Sequence, residues 1–402
     1  MRQSGAFRKS TLTAAVLFAA AIPAGIAQAD GRKAYDTGAS DTEIRIGHTT
    51  AYSGPASMLA TNGRVLKAFV DMLNADGGIN GRKIKLISYD DGYSPPKTLE
   101  QVRKLVESDE VLFVFGIPGS PTNAAVHKYL NGKKVPQIGI TSGAERFNDP
   151  KNFPWTMPLY PSSDIEEKAY VDHILKQKPD PKIGILYQND DYGKGHLKAL
   201  EKVLGKHGKS IHHAASYETT EATVDSQIIN IKNSGADVLI NITTPKFAAM
   251  AMRKAHELGW KPLQYLGFAG SAAMGLLGAD SDAASGVITA SFAKAPNDPA
   301  LAADPEVIAY REFMQKWDPQ DNANDFYSVS GYITSWLLKH ILERAGDDLT
   351  RENIMKVVGS IKNTRFPMHQ PSIVIQTDPS NFDAYKTLEL QKFNGKGWES
   401  TK

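Results

Sequence analysis

A chain of 402 residues with 41% hydrophobic residues can bury a substantial core, and at roughly 150 residues per domain it should divide into about two domains. Its formal charge of +2 excludes bulk attraction to nucleic acid or to an anionic membrane. It has no cysteine, which excludes disulfides and every thiol-based enzyme mechanism.

The first residues read as a targeting segment. Arg2, Arg8 and Lys9 precede an apolar run over 12–22 that is too short to span a bilayer, and the run gives way to Gly25-Ile26-Ala27-Gln28-Ala29. This pattern predicts a secretory signal peptide, residues 1–29, cut after Ala29, rather than a retained anchor. Its removal takes away three positive charges and leaves the mature chain at −1. The destination is then extracytoplasmic, where disulfides could form; with no cysteine, stability must come from the core.

Strand and helix signals alternate from there on. Short apolar or β-branched runs at 43–49, 83–89, 111–115, 182–187, 237–242 and 286–292 predict strands. Between them lie helical spacings such as Val65-Ala68-Phe69-Met72-Leu73, Leu99-Val102-Leu105-Val106 and Phe247-Met250-Ala251-Ala255. This βαβ rhythm predicts an α/β protein with mainly parallel sheets flanked by helices. One block runs over about 41–160, and a second begins at 161, after the proline-rich "NDPKNFPWTMPLYPSSD". Beyond the irregular "SFAKAPNDPALAADPE", helices are predicted at 304–316, 325–345 and 351–360.

The stretch "LFVFGIPGSPTNAAV", Leu112 to Val126, places a Gly-Pro-Ser loop between a strand and a helix. In an open parallel sheet, ligands bind beyond the carboxyl ends of the strands, where such loops lead into helix N-termini. Gly116 and Gly119 permit close backbone approach, and Ser120 or Thr122 can cap a helix starting near Thr122 or Asn123. The free amides there favour a carboxylate or phosphate, although a capped helix without a ligand explains the loop alone equally well. The next junction repeats the design: the strand at 137–140 ends in Thr141-Ser142-Gly143-Ala144. Two adjacent loops of this kind make one small polar cup.

Six ordered motifs carry a resemblance: "TTAYSGPAS" from Thr49, "NADGGINGRKIKL" from Asn74, "YDDGYSPPKTLEQVRKLV" from Tyr89, the loop at 116–120, "VPQIGITSGA" from Val135 and "NDDYGKG" from Asn189. Over nearly all of the mature chain, the sequence resembles the periplasmic binding proteins of branched-chain amino acid ABC transporters, the Leu/Ile/Val-binding family. The resemblance implies a two-lobed, type I clamshell with a three-segment hinge. Lobe 1 would comprise 42–160 and 291–368, and lobe 2 would comprise 161–290 and 369–402. The ligand would lie between the lobes and be enclosed as they close.

The resemblance also assigns contacts. Ser120 and nearby amides around Gly119 match the group that holds a ligand carboxylate, and Thr141, Ser142 and Gly143 match the second carboxylate loop. Gly143 stands where relatives carry a ligand-contacting threonine, so Thr141 or Ser142 would supply the hydroxyl. Tyr192 matches the aromatic contact from lobe 2. The first loop, 53–60, brings Met58 or Leu59 near the pocket. Thr243 and Thr244 stand where relatives often carry aromatics, and Phe268, Phe292, Tyr160 and Trp155 are candidates for an apolar lining or for plain core.

At Ala269, in "YLGFAGS", amino-acid binders of the family carry an acid for the ligand's ammonium. A buried ammonium without such a partner costs several kcal/mol. The implied ligand is a small carboxylate with no amine there, such as a benzoate or cinnamate. A branched-chain amino acid stays open if Asp90, Asp190, Asp191 or Glu145 reaches the amine.

Enzyme readings are weaker. Ser94-Pro95-Pro96-Lys97 matches S-x-x-K only formally, with prolines interrupting the helical turn it needs, and "PGSPT" lacks the second glycine of a nucleophile elbow. His212 and His213 face opposite ways on a strand, and Asp90 and Asp91 suit turn capping better than metal binding. No cofactor and no metal are expected. The expected partners are a small carboxylate and ABC permease subunits in the inner membrane, with the protein a periplasmic monomer; a sensor presenting its ligand to a receptor is the alternative.

Overall fold

The computed structural model describes Met1 and residues 33–401. The expected signal peptide, apart from Met1, lies outside the described residues. No helix among the described residues is long and apolar enough to cross a membrane.

After the short strand β1 (Ala34–Tyr35), the first lobe is built from β2 (Glu43–Thr50), α1 (Ala60–Ala75), β3 (Lys83–Asp90), α2 (Pro95–Glu107), β4 (Phe113–Phe115), α3 (Ser120–Lys133), β5 (Gln137–Ile140) and β6 (Thr156–Pro158). The sheet runs β3-β2-β4-β5-β6, with every pair parallel. Parallel strands joined by helices must be covered on both faces, and the core divides accordingly. Val65, Leu66 and Phe69 of α1 pack in one cluster, and Val102, Leu105, Val126 and Leu130 of α2 and α3 pack in another.

The second lobe continues with α4 (Ser163–Gln177), β7 (Ile183–Gln188), α5 (Asp191–Gly205), β8 (His213–Tyr217), α6 (Asp225–Asn233), β9 (Val238–Ile242), α7 (Pro245–Glu257), β10 (Leu263–Leu266), α8 (Met274–Leu277) and β11 (Ile288–Ser291). The chain then returns to the first lobe through α9 (Pro305–Trp317), α10 (Phe326–Ala345), β12 (Asp348–Leu349), which pairs with β1, and α11 (Arg351–Val358). Ile333, Leu337, Leu338 and Ile341 of α10 join the α1 cluster. Finally β13 (Glu389–Phe393) and β14 (Trp398–Ser400) complete a seven-stranded sheet in the order β14-β13-β11-β10-β9-β7-β8. It is parallel from β8 to β11 and antiparallel across the last two strands.

The segment 369–385 lies elsewhere than expected. Ile373, Ile375, Phe382, Ala384 and Tyr385 are buried in the α1–α10 cluster. Hydrogen bonds hold them there: Ile375 N donates to Thr364 O at 2.8 Å and Phe382 N to the Asn148 side chain at 2.8 Å. Only at β13 does the chain rejoin the second sheet. This stretch has neither helical nor strand periodicity, so its lobe was not legible from pattern.

An aromatic cluster fills the junction where the crossing segments meet. Tyr160 lies 5.3 Å from Phe268 and 5.6 Å from Phe292, centroid to centroid, and Phe292 lies 5.0 Å from Tyr385. The Tyr160 hydroxyl is 2.6 Å from Ser330 Oγ on α10. Just past Phe292, the buried Lys294 ammonium donates to Asp304 at 2.5 Å and Glu306 at 3.0 Å, and Arg365 grips Glu306 with both guanidinium nitrogens at 2.5 and 2.6 Å. Buried cations require such pairing, which ties two chain passages to the start of α9.

Candidate functional site

The opening loop forms the N-terminus of α3, which starts at Ser120 rather than at Thr122. Pro121 in the first turn explains the earlier start, since its fixed φ suits that position. Neither expected hydroxyl caps the helix. Thr122 Oγ1 donates back to the Pro118 and Gly119 carbonyls, and Ser120 Oγ lies 2.7 Å from Ser142 Oγ. The two junctions therefore meet in one buried hydroxyl pair. Pro118 bridges Thr141, whose hydroxyl turns to Ile117 O at 3.5 Å, and Gly119 N donates to Thr141 O at 3.3 Å. Gly119 has φ +91°, and a side chain there would collide with the ring of Tyr93, so glycine is required.

Gly143 sits at the crossing into the second lobe. A Cβ at this position would overlap the Pro161 carbonyl oxygen, while Gly143 O accepts from Ser163 N at 2.9 Å. This contact explains why no threonine stands here. Gly143→Ala is expected to cost about 1–3 kcal/mol through overpacking against backbone. Thermal unfolding reads this directly; an unchanged midpoint would mean that the crossing is slack.

Beside Gly143 runs a groove of about 970 Å³ between the lobes, flanked by the turn Glu145–Phe147 and by α5. Two ion pairs span it: Arg146 to Asp191 at 2.8 Å and Lys198 to Glu145 at 3.4 Å, all four side chains largely exposed. Such pairs contribute about 0–1 kcal/mol and are screened by salt. Arg146→Ala should therefore weaken ligand binding no more than about fivefold in dilute buffer. Titrations repeated in strong salt should show the difference vanish.

Aromatic hydroxyls from both lobes converge beyond the serine pair. Tyr93, which has φ +60°, is half-buried and lies near Gln188 at the end of β7. Gln188 accepts from the Tyr217 hydroxyl at 2.9 Å, and the same hydroxyl accepts from Thr244 N at 3.1 Å. The Tyr327 hydroxyl donates to Ala269 O at 2.7 Å, linking α10 to the loop after β10. Tyr192 lies among these rings, stacked edge-on against His196 with centroids 5.1 Å apart.

The remaining candidates separate by position. Leu59 packs with Ala56, Ala272 and Tyr327 at the rim, and Met58 lies against them. Thr244 opens α7 beside Tyr217, whereas Thr243 is fully buried and donates to Asn241 at 2.7 Å. Phe268, Phe292 and Tyr160 belong to the junction core, and Trp155 lines a separate hollow with Asp36 and Arg351. The four acids suggested for an amine are all engaged. Asp90 holds Ser53 and Lys97, Asp190 caps α5, Asp191 pairs with Arg146, and Glu145 pairs with Lys198. Ser94 and Lys97 do share a helical turn, because the prolines open α2 rather than interrupt it; the amine nevertheless goes to Asp90. Among the described residues no cluster of three metal-ligating side chains occurs.

Sequence reasoning missed three ionisable groups on the second lobe's side of the cleft. Glu166 and Glu167 of α4 are buried, as is His196 of α5. Glu166 Oε1 accepts from Phe268 N at 2.9 Å and from the Tyr170 hydroxyl at 2.8 Å. His196 Nδ1 lies 2.8 Å from Glu167 Oε1, and its Nε2 lies 3.7 Å from Glu166 Oε2. Burial pushes Glu166 up to about 7, with the His196 charge opposing and Glu167 adding to it, while burial alone raises Glu167 well above the usual carboxylate range. A signal existed: Glu166 shares a helix face with the buried Tyr170 and Ile174, a stripe where charge is rare.

Two lobes of this topology, with a ligand-sized cleft edged by strand-end loops, define a type I solute-binding clamshell. The chain belongs to the periplasmic binding protein family, whose family model matches residues 43–382. A Leu/Ile/Val-binding protein homolog 7 of Brucella suis is 25% identical over 239 residues, 58% of this chain and 60% of the relative. The match thus spans three fifths of that relative's length, short of two thirds. A branched-chain amino acid ABC transporter protein from Thermus thermophilus, solved with valine bound, superposes with a TM-score of 0.81 at 15% identity, covering 90% of this chain and 96% of that one. A fatty acid ABC transporter substrate-binding protein from Thermomonospora curvata gives 0.78 at 21%, covering 91% and 94%. At these identities the structural likeness speaks for the fold.

Proposed function

We propose that this protein captures a small carboxylate, an aromatic acid of the benzoate or cinnamate type, between its lobes in the periplasm and delivers it as a monomer to an ABC permease. One observation carries the reading: the Ser120–Ser142 hydroxyl pair at the uncapped start of α3, with tyrosines from both lobes gathered beyond it. Uncapped amides and hydroxyls suit a carboxylate, and aromatic walls suit a ring. The neighbour described as a fatty acid binder also has an amine-free carboxylate as its named ligand. Removal of a signal peptide would release the protein into the compartment where this capture takes place.

Amino-acid binding is the second reading, favoured by the buried Glu166 beside Tyr192 and by the valine-bound neighbour. Thermal unfolding against benzoate, 4-hydroxybenzoate, coumarate, leucine and valine separates the two, because a ligand that binds only the folded state raises the midpoint. A rise with the aromatic acids and none with leucine or valine is expected. A rise with the amino acids alone would overturn the aromatic assignment.

A further inference from the structure

We propose that the apolar hollow at the mouth of the cleft, between Met58 and Leu59 of the first lobe and Pro245 and Leu276 of the second, is a length-reading subsite for an apolar tail, an alkyl chain or a further ring, at the far end of the bound acid. The inference rests on the carboxylate reading of the Ser120–Ser142 pair and narrows the ligand to tailed acids.

The hollow has a volume of about 190 Å³, roughly that of six waters in the liquid and enough for a short chain or one ring. Its walls are apolar except for Thr244 and Lys246, and they come from both lobes, so the hollow takes shape only when the lobes face each other. It backs onto the cleft on either side. Leu59 packs with Tyr327, and Tyr93, packed against the same cluster, carries its ring to Gly119, next to Ser120. Across the gap, Thr244 N donates to the Tyr217 hydroxyl, which in turn donates to Gln188. A ligand anchored at Ser120 and passing these tyrosines reaches the hollow next.

The chemistry of the walls selects the occupant. Leu276 is 41% exposed and Met58 half-buried, so the hollow presents apolar side chains to water on a concave surface. An apolar group that fills it removes this contact, which is worth about fourfold in affinity for each methylene buried. No acidic side chain lines the hollow, so it offers no charge to a ligand ammonium. Lys246, the cation at its edge, holds its ammonium 5.1 Å from the centre of the Phe247 ring. Apolar length, and not a polar substituent, is what these walls can distinguish.

The test is calorimetric titration of the full mature protein and of Leu276→Trp and Leu276→Ser with two graded series: benzoate to 4-butylbenzoate, and butanoate to octanoate. Leu276 is at the surface, so neither substitution disturbs the core. In the wild type, affinity should rise about fourfold for each added methylene until the hollow is full, and then level off. Leu276→Trp fills the hollow and should cost the longest member of a series about ten- to a hundredfold and the shortest less than twofold; Leu276→Ser should flatten the rise. Equal losses along a series in Leu276→Trp, or none, would overturn the subsite. A wild-type series that is flat or falls with length would do the same, while the carboxylate reading stands. Should the alkanoates bind and the benzoates not, the aromatic assignment fails and the hollow is judged on the alkanoates alone. Binding of no member of either series overturns both.

Discussion

Removing the Ser120 hydroxyl should weaken carboxylate binding by about ten- to a hundredfold, while the unfolding midpoint of the free protein moves little. A hydrogen bond to an ionised group is worth about 1.5–3 kcal/mol, which sets this range. Ser120 Oγ touches Ser142 Oγ and caps nothing, so deleting it removes one side-chain contact from the free protein. Ser142→Ala should cost as much in affinity and slightly more in stability, because Ser142 Oγ also accepts from Ala144 N at 3.2 Å. Titration of both variants and of the double variant tests this. If the hydroxyls act on one carboxylate, the double loss should be smaller than the sum of the single ones. Full affinity in Ser120→Ala would remove the carboxylate from this loop.

Acid should unfold the protein steeply below about pH 4.5, after a nearly level region from pH 7. His48 is fully buried with Nδ1 2.9 Å from Phe115 O, and burial pushes it down to about 4, against the small upward pull of that hydrogen bond. His369, buried between Phe366 N and the Tyr385 hydroxyl, is pushed down to about 3 by burial and by the Arg365 charge. In the unfolded chain both titrate near 6.5. The stability they contribute is therefore complete above that value and is lost as pH falls towards 4 and 3, by about 1.4 kcal/mol per pH unit for each.

Buried carboxyl groups act in the opposite direction at first. Burial raises Glu166 to about 7 and Asp325 to about 6, so the folded state takes up their protons first as pH falls from 7 to about 4.5. Below that, the unfolded carboxyls protonate too, and the compensation ends. Glu306, pulled down to about 2 by Arg365 and Lys294 in spite of its burial, then adds to the loss. Chemical denaturation from pH 7 to 3.5 should show the break, and His369→Gln should reduce the acid slope by about one proton. An unchanged slope in that variant would contradict the assignment.

Much of the fold could be read because its elements follow their periods. The strands beginning at Glu43 and Lys83 start where predicted, and the three late helices differ by one or two residues at their ends. Residues without a period were harder. Nothing local in "DDGYSPP" shows that Tyr93 adopts a positive φ and lays its ring against Gly119. The lobe of 369–385 depends on packing into the α1–α10 cluster and on contacts far away in sequence, such as Phe382 N to Asn148. The polar loops were legible as a pair, since hydroxyls and glycines at consecutive strand ends must converge; Glu166 was not, because its role depends on which loop covers its helix.

The chain visits the first lobe twice and finishes in the second. Helix α1 cannot cover its face until α10, more than 250 residues later, arrives to pack against it, and β11 keeps an open edge until β13 pairs with it. A polypeptide emerging N-terminus first, from a ribosome or through a membrane channel, can therefore complete neither hydrophobic core until almost its last residue is free. Such a chain remains threadable for the whole of its passage, and a truncation just before Glu389 would leave a sticky sheet margin instead of a smaller working protein.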